Sequence, residues 1–286
     1  MGGTTLLAAC NDDQDTKVHS NATDNAKVDG ETVDKGFFLV QRFPGNPLFV
    51  PGVESRLPVS IMRSADGALR DNGPATFNGW IEDFNGEKVV DVVATRRNEG
   101  ISAAYWEVRA TLPKAIIYAL RFEGGDDNGA KFEVWDPEYV HSPKLHEPLL
   151  GFDTPTKDDH RGVEPYCSRP TPCPFHSMTL NEALATGKPV IYMIGTPAHC
   201  TTGTCGPGLE FLIEESERIG DQVAIVHADV YADDQATVVA PAILALNIEY
   251  EPIIYFVDAS GTIVDRLDGV WDRSELRERV DQLLAP

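Results

Sequence analysis

Apolar residues between positions 37 and 136 fall into short runs suited to strands: FFLVQRF (37–43), LPVSIMR (57–63), ATFNGWI (75–81), KVVDVVAT (88–95), SAAYWEVRA (102–110), KAIIYALRF (114–122) and AKFEVWD (130–136). Gly, Pro, Asn and Asp clusters separate them, and no helical period intervenes. About seven strands at this spacing predict an all-β sandwich over residues 36–140. Tyr105, Trp106 and Trp135 read as its core and rim aromatics. No acid, base or metal constellation falls within it.

From residue 179 the period changes. Thr179 with Glu182 three residues on is a capping-box start for a short helix. A strand over 189–194, a loop of small residues and a helix over 207–219 follow. A buried-type strand over 222–230, a helical stretch over 235–246, strands over 251–258 and 263–267 and an amphipathic helix over 271–284 complete the chain. That order, β-α-β-α-β-β-α, predicts an α/β unit over residues 179–286. Residues 141–178, rich in Pro, His and Asp, read as a linker. Residues 11–35 are polar and acidic and cannot bury enough apolar surface to fold, so a disordered tether is expected there. With 286 residues, two domains are the simplest division.

Charge removes one class of partner. Twenty-four basic residues stand against 45 acidic ones, a net charge of −21, which argues against binding nucleic acid. The five cysteines are Cys10, Cys167, Cys173, Cys200 and Cys205, four of them within one short stretch. Such usage fits an oxidising, extracytoplasmic compartment. Leu7-Ala8-Ala9-Cys10 resembles a bacterial lipobox, which implies lipidation of Cys10 and a membrane anchor, although no basic or long apolar region precedes it. Cys167 and Cys173, with His160 and His176 nearby, raise the question of a metal. The C-x5-C-x2-H spacing matches no zinc pattern, and a second ligand pair is missing. A structural 167–173 disulfide closing a small loop is therefore expected, with no metal and no cofactor. His227, inside a predicted strand, reads as a core histidine.

The chemistry concentrates in KPVIYMIGTPAHCTTGTCGPGLEFL, residues 188–212. A strand delivers two cysteines to a helix start, where free amide N–H groups and the helix dipole stabilise a thiolate. This block, the order of elements, Pro252 and the turn Asp258-Ala259-Ser260-Gly261 together resemble the thioredoxin superfamily over residues 179–284. The resemblance implies that Pro252 is the cis-proline facing the redox cysteines. It also implies that Cys200 and Cys205 exchange disulfides with protein thiols of the envelope. His199 is placed to lower a thiol pKa or to act as a base. Residues 104–110 with Tyr118 resemble the late strands of immunoglobulin-like domains, so the whole looks like a thioredoxin-domain lipoprotein of bacterial envelopes.

The motif departs from thioredoxins in spacing: four residues, Thr201-Thr202-Gly203-Thr204, separate the cysteines instead of two. Counted from the strand, Cys200 is the attacking cysteine. Counted from the helix, Cys205-Gly206-Pro207 begins the motif and Gly208 replaces its second cysteine. Two alternatives to an oxidoreductase stay open. One is a non-catalytic surface lipoprotein whose cysteines are staples. The other is a copper-handling protein, for which the C-x4-C spacing and the lack of a clear histidine ligand are poor matches.

Overall fold

The computed structural model describes residues 36–71 and 73–285, together with the backbone of two short strands, β1 (Ala26–Val28) and β2 (Glu31–Val33), which pair antiparallel. Cys10 and its lipobox-like segment lie outside the described residues, as does most of the expected tether.

The first unit consists of β3 (Phe38–Gln41), β4 (Glu54–Arg56), β5 (Val59–Met62), β6 (Thr76–Asp83), β7 (Lys88–Arg97), β8 (Tyr105–Glu107), β9 (Arg109–Thr111), β10 (Ile117–Phe122) and β11 (Ala130–Glu133). Seven of these strands form one continuous antiparallel sheet in the order β11-β10-β6-β7-β8-β5-β3, and β4 pairs with β9 beside it. The seven-strand sheet is a single curled layer where the strand spacing predicted two facing sheets. Its two edges return to each other: the side-chain amide of Gln41 on β3 donates to the Lys131 carbonyl on β11 at 2.7 Å. Gly79 on β6 helps the curl, because a Cβ there would run into the Arg121 carbonyl and the Phe122 ring of β10. Inside the curl, Phe77, Ile81, Trp106, Val108, Leu112, Tyr118 and Leu120 make one buried core.

In the second unit the capping box is present as read: Thr179 accepts from the Glu182 amide and Glu182 accepts from Thr179, opening α1 (Leu180–Leu184). Strands β12 (Val190–Ile194), β13 (Ala224–Ala228), β14 (Ile253–Val257) and β15 (Ile263–Asp268) lie in the order β13-β12-β14-β15. β12 runs parallel to β13 and antiparallel to β14. Every residue of β12 and β14 is buried, as expected of central strands covered on both faces. The covering helices are α2 (Cys205–Ile219), α3 (Pro241–Leu246) and α4 (Arg273–Leu283). This is a thioredoxin-like topology. α3 is shorter than the helical pattern over 235–246 because Asp233 gathers the Thr237 and Val238 amides into a turn, and Pro241 then sets the helix start.

The two units share a buried polar seam. Arg56 on β4 donates to both oxygens of Glu275 on α4 at 2.6 Å, and further to the Asp268 and Val270 carbonyls. Tyr105 reaches the same carboxylate and accepts from the Asp272 amide at 3.0 Å, so it belongs to this seam and not to the β core. Burial disfavours the charge on Arg56, yet the adjacent carboxylate outweighs that cost and the pKa is raised. Arg97 adds a pair with Glu278 across the boundary. This seam orients the units relative to each other, and removing one partner of the Arg56–Glu275 pair would strand a buried charge.

Candidate functional site

β12 ends at Ile194, and the chain crosses Gly195 into a loop that returns to the start of α2. Cys200 and Cys205 are joined there by a disulfide, with Cα atoms 5.9 Å apart. The environments of the two sulfurs differ. Cys200 is partly exposed, and its Sγ accepts the Cys205 amide, the first N–H of α2, at 3.2 Å. The Thr202 hydroxyl lies 3.2 Å from the same sulfur. Thr204, the residue before the helix, makes no side-chain cap; its hydroxyl donates instead to the Gly269 carbonyl at 2.7 Å. The helix amides are thus left to the Cys200 sulfur, which favours its thiolate.

Cys205 is fully buried. Its Sγ lies 3.6 Å from Oε2 of Glu251, whose carboxylate also accepts the Thr196 amide at 2.6 Å. Burial raises the Glu251 pKa, against the opposing pull of the Thr196 amide. The Glu251–Pro252 bond is cis. A methyl group on Gly195 would lie 3.3 Å from Pro252 Cβ and 3.4 Å from Cys205 Cβ, so glycine lets the proline turn close on the buried cysteine. Helix α2 also passes tightly over Trp271: a Cβ on Gly208 would sit 2.7 Å from its ring, leaving no room there for a second motif cysteine.

Of the residues singled out from sequence, Cys200, Cys205 and Pro252 come together. The His199 ring packs edge-on against Tyr231, with 6.2 Å between centroids. Glu251 was missed, because a glutamate before a proline carries no signal until β14 and α2 are placed side by side. Two grooves flank the disulfide loop where the β unit walls it. One of about 420 Å³ includes Arg42, Phe43, Thr202, Tyr250 and Glu251; another of about 380 Å³ includes Ile101, Ser102, Thr202, Pro207 and Trp271.

The other close cysteine pair departs from expectation. Cys167 and Cys173 are free buried thiols where the spacing predicted a disulfide. The reason lies in what faces them. His227 Nδ1 stands 3.5 Å from Cys173 Sγ and 4.0 Å from Cys167 Sγ, and 3.3 Å from His176 Nε2. Cys167 Sγ accepts the Cys173 amide at 3.4 Å. Hydrogen bonding from Cys173 and both histidines pulls the Cys167 pKa down, while the same Cys167 sulfur and burial push Cys173 up. His160 is turned away to Glu164 at 2.7 Å and takes no part. His227 is a core histidine in burial, as read, but its inner nitrogen faces sulfur.

No family model matches the chain, and no curated protein matches it. Among solved structures it is similar to a putative thiol:disulfide interchange protein DsbE from Chlorobium tepidum, at 13% identity and a TM-score of 0.37, over 50% of this chain and 100% of that one.

Proposed function

We propose that this chain is an exported thiol–disulfide oxidoreductase acting on protein thiols and disulfides of the cell envelope through Cys200 and Cys205. The observation that carries the reading is the asymmetric disulfide at the start of α2: one sulfur is partly exposed and held by a helix amide, the other is buried beside a carboxylate.

In the reducing direction, the Cys200 thiolate attacks a substrate disulfide and forms a mixed disulfide, and the first substrate thiolate leaves. Glu251 then takes the proton of the Cys205 thiol. The Cys205 thiolate attacks Cys200 Sγ, closing the 200–205 disulfide and releasing the second substrate thiolate. Two electrons pass from the pair to the substrate, and the reverse sequence oxidises a dithiol. Pro252, closing on Cys205 across Gly195, borders the place where a substrate strand docks. His199 serves as loop packing on Tyr231 in this scheme and not as the base.

Cys205→Ala is expected to trap mixed disulfides with envelope proteins through Cys200, and Cys200→Ala to trap few. The reverse pattern moves the attacking role to Cys205. If neither variant traps a partner and both lower Tm alike, the pair is a staple and the enzymatic reading fails.

The reading of the location rests on cysteine usage and on Leu7-Ala8-Ala9-Cys10, whose likeness to a lipobox supports a lipid anchor on Cys10. Labelling with a palmitate analogue in bacteria should tag the chain and disappear in Cys10→Ser; equal labelling of both would remove the anchor. The curled β unit supplies one wall of the two grooves beside the disulfide.

A further inference from the structure

We propose that Cys167, Cys173, His176 and His227 bind one Zn²⁺ ion in a closed tetrahedral site that fastens the linker to the thioredoxin-like sheet. The four ligand atoms lie within 4.8 Å of one another, and all four residues are buried. Zn–S bonds of about 2.3 Å and Zn–N bonds of about 2.0–2.1 Å, at tetrahedral angles, require N···N near ~3.4 Å and S···N near ~3.6 Å. The observed His176–His227 separation of 3.3 Å and Cys173–His227 separation of 3.5 Å meet those edges, and Cys167 at 4.0 Å needs a small closure.

The outer nitrogens fix the direction of the inner ones. His227 Nε2 lies 2.8 Å from the Gly195 carbonyl, and His176 Nδ1 lies 3.4 Å from the Pro155 carbonyl. A carbonyl only accepts, so each outer nitrogen carries a proton, and in the neutral ring each inner nitrogen then presents a lone pair. Two lone pairs 3.3 Å apart, with two sulfurs beside them, repel one another unless a cation sits between. Backbone carbonyls behind ligating imidazoles are the usual outer support of a zinc site.

Charge and chemistry choose the ion. Two thiolates and two neutral imidazoles make an uncharged complex with Zn²⁺, which suits a site walled by Phe175, Met193 and Ile254. Binding releases the two thiol protons to solvent and changes no oxidation state. Three ligands come from residues 167–176, within the linker, and one from the middle of β13, so the ion would cross-link a segment of little regular structure to the sheet. The site shares no ligand with the 200–205 disulfide and stands whether or not that pair is catalytic.

The test is elemental analysis of the full chain purified from zinc-supplied cells, paired with cobalt substitution. One zinc per chain is expected, with sulfur-to-cobalt charge transfer and intense tetrahedral bands after exchange. Cys173→Ser, His176→Gln and His227→Asn should each lose the metal, and the double variant Cys200→Ser/Cys205→Ser should keep it. Because His227→Asn is a core change, His176→Gln, checked for native circular dichroism, decides the matter if the former fails to fold. A folded wild-type chain without zinc or cobalt bands would overturn the proposal. Metal retained by His176→Gln, or lost with Cys200 and Cys205, would overturn it as well.

Discussion

The two close cysteine pairs, one in the second unit and one in the linker, have nearly equal spacings, C-x4-C and C-x5-C, and opposite states. Cys200 and Cys205 are bonded; Cys167 and Cys173 are free and closed off. What separates them is the company each keeps. The first pair has a helix amide on one sulfur, a carboxylate on the other and partial access to solvent. The second has two imidazole nitrogens aimed at it and no exposure to speak of, with both residues below 5%. Spacing therefore sets which sulfurs can meet, and the surrounding donors and carboxylates set what chemistry each pair is suited to.

The largest effect should come from the seam, which borders the loop of the first pair at Gly269. Glu275→Ala would leave Arg56 charged and buried, and a loss of about 3–5 kcal/mol is expected in chemical denaturation. If the β unit walls the exchange site, Cys200 in the reduced variant should also react faster with a bulky thiol reagent, while metal content at 167–176 and 227 is unchanged. Equal change at both pairs would mean that the seam holds the whole second unit together, and the contrast between the sites would lose its structural basis.

A smaller effect isolates Glu251. Burial raises its pKa, so the carboxyl keeps its proton to higher pH than an ordinary glutamate, and it acts as a base only above that raised value. Closure of the 200–205 disulfide from the mixed disulfide should therefore speed up as pH rises through a window above the usual carboxylate range. Glu251→Gln keeps an oxygen for the Thr196 amide but cannot take the proton. It should slow closure by about 100-fold above that window and flatten the pH profile. A variant with the wild-type profile would show that Cys205 loses its proton directly to water.

Much of the second unit was legible in the sequence, because its signals are local. The Thr179/Glu182 box, the all-apolar runs of β12 and β14 and the Asp258 turn each depend on a few adjacent residues. The single curled sheet was not legible. Strand runs do not reveal whether β3 and β11 face across a gap or return to the same edge, and Gly79, inside its strand run, gives no sign of the close approach until β10 lies against it. Of the redox site, the cysteines and Pro252 could be placed, whereas Glu251 and the turn of His199 toward Tyr231 depend on packing between distant segments. The histidine cluster failed for the same reason. Cys167, Cys173 and His176 form a half-motif, and the fourth member, His227, stands 51 residues beyond His176 inside an apolar strand. A histidine in the middle of such a strand, read together with an unmatched C-x5-C-x2-H, was the available signal.

The most direct test poises the purified full chain in a series of thiol/disulfide redox buffers, quenches it with acid, alkylates it under denaturing conditions and maps every cysteine by mass spectrometry. Cys200 and Cys205 should pass together from linked to labelled with a midpoint between about −270 and −120 mV, the range of exchange catalysts, while Cys167 and Cys173 are labelled as thiols throughout. A 200–205 disulfide that survives below about −300 mV would mark a structural bridge and contradict the account.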